Sequence, residues 1–141
     1  MLLALERVAA ELVGITAQSV AEAAPASDLT LVQWRALVIV AGSVGMHIGE
    51  IAARVGSSVP STSRLIRRLE RRGLLTTERD DADRRATIVR STEAGATTRT
   101  QVMTRRRELL AEALDASVEP LPTSLAAGLD AIAVALERRG Y

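Results

Sequence analysis

The chain has 141 residues, 48% apolar and 25% charged, with a formal net charge of +1. That balance suits one folded domain spanning residues 1–141 and excludes a disordered chain or a membrane-spanning one, since no apolar run reaches the roughly 18 residues of a span. There is no cysteine, one Trp, one Tyr and no Phe, which excludes disulfides and thiolate chemistry, points to the cytoplasm, and favours a core of aliphatic side chains in packed helices.

Leu2, Leu5, Val8, Leu12 and Ile15 recur at spacings of three and four, so residues 2 to about 23 are predicted as one amphipathic helix that stops near Pro25. Glu6, Arg7, Glu11 and Glu22 interrupt this segment, and it lacks the basic start of a secretory signal. Thr30 then caps a mostly apolar helix from about Leu31 to Ala41, ended by Gly42 and Gly45. Trp34 within it is expected in the core, with ligand stacking as the lesser alternative. A short helix from about Ile48 to Val55 ends at Gly56, and His47 just ahead of it reads as a surface or capping residue.

The stretch "SSVPSTSRLIRRLERRGLL" follows. Ser58 can cap a helix from about Val59 to Arg72, Pro60 is tolerated in the first turn, and Gly73 ends it. On a helical wheel Arg64, Arg67, Arg68 and Arg71 share one face, and Leu65, Ile66 and Leu69 the other. A short helix, a glycine turn and a second helix with an apolar back and a basic, serine-rich front make a helix-turn-helix. Such a helix shows small polar groups and Arg to base edges in the major groove. Ser58, Pro60, Ser61, Thr62 and Arg64 are the expected leading contacts, with Arg67, Arg68 and Arg71 reaching phosphates.

Two β-prone runs, Leu74 to Glu78 and Ala86 to Arg90, flank a polar tip and predict a hairpin. Arg84 and Arg85 at the tip can enter a narrow minor groove, and Asp83 supports Arg85 by a salt bridge. Residues 54–90 hold ten Arg against five acids, +5, while the rest of the chain sums to −4. The basic excess is therefore local, as in a polyanion-binding unit carried between acidic arms. The expected fold is mainly α with a small β-hairpin wing, a winged helix-turn-helix over about residues 29–92 between helical arms at about 1–24 and 93–141.

A long helix from Thr92 to about Val118, a turn bracketed by Pro120 and Pro122, and a final helix complete the chain. Leu121, Leu125, Leu129, Ile132 and Leu136 repeat at helical spacing, and with Leu5 and Leu12 they offer more apolar face than a small winged helix covers. Packing between subunits is the favoured reading, and packing within one subunit the plainer one. With one His, no Cys and no phosphate-binding glycine loop, no enzyme, cofactor or metal site is expected. The alternative to DNA binding is a winged-helix protein-docking module, which has no need of arginines on both the second helix and the wing tip.

The runs "LTLVQWRALVIV", "IGEIAARVGSSVPSTSRLIRRLERRGLL" and "ERDDADRRATIVRSTEAG" resemble the MarR family of bacterial transcriptional regulators, above all in the Asp83, Arg85, Val89, Ser91 and Thr92 wing pattern. Ser91 stands where the family usually has Leu. The resemblance implies an obligate homodimer, double-stranded DNA with a pseudo-palindromic operator as partner, repression, and release by a small lipophilic or anionic effector.

Overall fold

Among the described residues, 1–25, 28–80, 86–117 and 121–139, the computed structural model of the chain has six helices and three short strands. The helices are α1 (Leu2–Ala23), α2 (Leu31–Ala41), α3 (Ile48–Val55), α4 (Val59–Arg71), α5 (Glu93–Asp115) and α6 (Ser124–Arg138); the strands are β1 (Met46–His47), β2 (Leu75–Arg79) and β3 (Thr87–Ser91). The chain forms two units, residues 1–110 and 111–141. The first is mainly helical with a small antiparallel sheet; in the second, every described residue of α6 is exposed.

In the first unit α2 begins with a reciprocal cap. The Gln33 N–H donates to the Thr30 hydroxyl at 3.3 Å, and the Thr30 N–H donates to Oε1 of Gln33 at 3.0 Å. The same Gln33 oxygen accepts Nη1 of Arg72 at 2.8 Å, so the start of α2 and the end of α4 are pinned through one amide. Trp34, Ala36, Leu37 and Val40 of α2 are buried with Ile51 of α3 and Ile66 and Leu69 of α4. Three helices thus share one aliphatic core, each sealing its apolar stripe against the other two. Trp34 is 4% exposed and belongs to that core.

The sheet has strand order β1-β3-β2, antiparallel throughout. The hairpin strands run one residue later than expected, with Leu75 opposite Ser91 and Arg79 opposite Thr87. The register follows from burial: Leu75 and Val89 both enter the core and can do so only if each faces inward on its strand. Strand β1 has no signature in the sequence, because two residues cannot display an alternating pattern; it pairs Met46 with Val89 and His47 with Ile88.

Helix α5 starts where it can lie against the end of α4 and the first residues of β2. Thr92 supplies the joint, its hydroxyl donating to the Gly73 carbonyl at 2.6 Å and accepting the Gly95 N–H at 3.0 Å. Gly95 has no room for a side chain, since a Cβ there would sit 2.1 Å from the Leu74 carbonyl oxygen. Further along, Val102 is fully buried, and Nε of Arg105 donates to Glu22 of α1 at 2.6 Å. Hydrogen bonds from Gln18 and then Arg105 hold the Glu22 carboxyl below its ordinary pKa. Leu121, counted with the seam of the last helix, precedes that helix, which begins at Ser124.

Candidate nucleic-acid interface

Helices α3 and α4 are joined by Gly56, Ser57 and Ser58. Gly56 closes α3 in the left-handed region at φ 74°, ψ 41°, a conformation that costs other residues a Cβ clash and allows the sharp reversal between the two helices. Ser58 then caps α4, accepting the Ser61 N–H at 3.3 Å, and Pro60 occupies a first-turn position whose N–H would have no helical acceptor.

The two faces of α4 separate as its sequence demands. Ile66 and Leu69 are buried, whereas Arg64, Arg67, Arg68 and Arg71 are exposed along 13 residues, roughly 20 Å of helix. Among the described residues none of these four guanidinium groups is held in a salt bridge. Nη2 of Arg64 donates to the Ser61 hydroxyl at 3.2 Å, which in turn accepts from Ser58 at 3.0 Å. The leading turn is therefore an ordered polar edge, and its positive helix terminus adds to the arginine charge. Ser58, Pro60 and the four arginines reach solvent and Ser61 is half-buried, so the structure brings these expected residues to one surface.

Thr62 is the exception. Its side chain is fully buried, on the same side of α4 as Ile66, four residues on, and Leu69, seven on. The expectation that it touches DNA is withdrawn; its role is to pack the inner face of the helix.

The wing's base is held from two sides. Nε of Arg90 on β3 pairs with Glu78 of β2 at 2.6 Å, and its Nη1 donates to the Val44 carbonyl in the turn after α2. On the other side Nε2 of His47 meets Oδ2 of Asp80 at 2.8 Å, and Nδ1 lies 3.5 Å from Glu50 in the first turn of α3. Asp80 also receives support from the hairpin backbone, its N–H donating to the Ala86 carbonyl at 3.1 Å. Asp83, Arg84 and Arg85 lie outside the described residues. The Arg90 contact with Val44 and the His47 contact with Asp80 escape reasoning from sequence because each joins residues more than thirty positions apart.

Hydrogen bonding to Asp80 raises the His47 pKa above its ordinary value, with Glu50 adding to the effect. A raised folded-state pKa means that the protonated link contributes stability that is fully present below the unfolded imidazole pKa of about 6.5 and is lost as pH rises through the folded value. His47 is the sole histidine, so its ring resonances are unambiguous in an NMR titration. The midpoint is expected to fall in Asp80→Asn; an unchanged midpoint would mean that the imidazole and Asp80 are not in contact in solution.

Among the described residues no three His, Cys, Asp or Glu side chains are grouped to hold a metal, and no helix is long and apolar enough to cross a membrane. Between the end of α1 and the start of α2 lies a partly open pocket of about 280 Å³ lined by Ala17, Val20, Ala24, Pro25 and Leu29, with Asp28 among its walls.

A sequence profile described as MarR family matches residues 27–86, from just ahead of α2 to the residue before β3. Among curated proteins none matches. RV1404 from Mycobacterium tuberculosis superposes with a TM-score of 0.84 at 26% identity, covering 94% of this chain and 88% of that one. CouR from Rhodococcus jostii RHA1, bound to p-coumaroyl-CoA, gives 0.73 at 20% identity over 97% and 89%. MepR from S. aureus in complex with DNA gives 0.64 at 19% identity over 94% and 97%.

Proposed function

We propose, from the match of residues 27–86 to the MarR family of DNA-binding transcription regulators and from the shared fold, that the chain is a winged helix-turn-helix repressor of that family, binding a pseudo-palindromic operator in the cytoplasm as a homodimer. The observation that carries this reading is the face of α4: four arginines free of salt bridges among the described residues, backed by the buried Ile66 and Leu69. A docking module of the same fold has no use for such a row, whereas a phosphate backbone neutralises it directly. In this reading Ser58, Pro60, Ser61 and Arg64 approach base edges and Arg67, Arg68 and Arg71 approach phosphates. Arg84 and Arg85 of the wing enter the neighbouring minor groove, with Asp83 holding Arg85. The arms, residues 1–24 and 93–141, form the dimer contact.

Release by a small lipophilic or anionic effector is part of the proposal. It is supported by the p-coumaroyl-CoA complex of CouR and by the apolar pocket where α1 meets α2. Such an effector acts by binding the DNA-incompetent arrangement better than the competent one.

Mobility shifts with the DNA upstream of the chain's own gene, at two salt concentrations, test the reading. No shift at low salt on that DNA or on any selected duplex would reject it. The variants should fail differently. Arg64→Ala is expected to reduce discrimination between operator and scrambled duplex by about 1–3 kcal/mol, because a side chain on the leading turns meets base edges. Arg85→Ala should weaken both duplexes alike and lower the salt slope by about one unit, with Asp83→Ala a milder form of the same loss. Unchanged binding and salt dependence in Arg85→Ala would remove the wing from the interface.

A further inference from the structure

The leading turn of α4 carries one large apolar side chain that the subunit does not use. Val59, the first residue of the helix, is 51% exposed, and packing on the inner side is done by Thr62, Ile66 and Leu69. Val59 heads a row with Ser63 and Arg67 at spacings of four, so its flank runs into the exposed basic face. The hydroxyls beside it are engaged within the helix. Ser58 and Ser61 bond to each other, Ser61 also accepts from Arg64, and the Ser63 hydroxyl donates to the Val59 carbonyl at 3.0 Å. Among the described residues of the first turn of α4, the outward groups without a polar partner are the γ-methyls of Val59 and the ring of Pro60. A β-branched residue here brings no capping group and stiffens χ1, so neither helix formation nor the core accounts for it.

In the major groove one base presents an apolar group, the C5-methyl of thymine, and it is the first residues of a recognition helix that reach base edges. We propose that Val59 is a specificity-determining residue whose γ-methyls pack on the C5-methyl of one thymine in each operator half-site. This rests on the DNA-binding reading above and adds to it a base identity at one position.

The test uses the full-length chain and duplexes that it selects from a random pool. Each thymine of a selected duplex is replaced in turn by deoxyuracil, which removes the methyl group and leaves every hydrogen-bonding edge in place. Burial of one methyl corresponds to about a fourfold change in affinity, and about fifteenfold when both half-sites are altered. One thymine per half-site is expected to show that loss with the unmodified chain. The loss should be absent in Val59→Ala and retained in Val59→Ile, both with unchanged circular dichroism because the side chain is exposed. The proposal is overturned if no thymine is sensitive, or if Val59→Ala keeps the same sensitivity. Selection of no duplex at all is a separate outcome, in which DNA binding itself fails and the proposal falls with it.

Discussion

Replacing Gly95 by alanine is expected to destabilise the fold by about 3 kcal/mol, at the upper end of what overpacking usually costs, and to lower the melting temperature by roughly 10 °C. The added Cβ would meet the Leu74 carbonyl oxygen at 2.1 Å and the Ser91 hydroxyl at 2.8 Å. A flexible side chain could swing aside, but the nearer atom is backbone, fixed by the Thr92 N–H that donates to it at 3.2 Å. Either α5 lifts off the sheet or the first residues of β2 move, and both break the Thr92 joint that ties helix, strand and the end of α4 together. Gly14→Ala is the internal control: it lies in the interior of α1 with nothing within 4 Å of the added Cβ, and should stabilise by about 0.5–1 kcal/mol. Thermal melts followed by circular dichroism measure both. A Gly95→Ala melt within about 2 °C of the unmodified chain would mean that α5 does not approach β2 as described.

The second large effect is expected on assembly. Leu125, Leu129, Ile132 and Leu136 of α6, and Leu5 and Leu12 of α1, are all exposed in the single chain. Their spacing places them in apolar stripes of the kind that water leaves uncovered only at a cost. If a second copy covers them, Leu129→Asp leaves a carboxylate facing an apolar partner, a penalty of several kcal/mol that a subunit can avoid by dissociating. In sedimentation the unmodified protein should run at about twice the 15.0 kDa chain mass, and Leu129→Asp at the chain mass, at micromolar concentration. Operator affinity should fall at least about 100-fold, because each half-site then binds without the effective concentration supplied by its twin. Since Leu129 makes no part of the core, folding is spared and the two readouts stay separable. A Leu129→Asp protein that sediments as the unmodified one would take α6 out of the subunit contact.

Most of the winged helix is legible in the sequence because local signals and burial agree there. Ser58, Pro60 and Gly56 mark both ends of the turn, and the alternation of arginines with aliphatics in α4 has one helical solution. Thr62 misleads because its residue type suits a groove-facing helix. The wheel carries the correction, since a residue four before Ile66 must share its side. The hairpin strands are displaced by one residue because β-propensity does not fix a strand's end; the burial of Leu75 and Val89 does. The anchors at His47 and Arg90 join residues 33 and 46 positions apart, and no pattern of period two or 3.6 encodes a pairing at that distance.

The amide of Gln33 gives α4 a fulcrum. It grips Arg72 at the far end from the base-reading turn while also closing the cap of α2, which follows the pocket residues Asp28 and Leu29. A rod of roughly 20 Å pivoting by about 10° about that point would swing its free tip about 3.4 Å, the rise of one base pair. Arg64, eight residues and roughly 12 Å from Arg72, would move by about 2 Å in the same tilt.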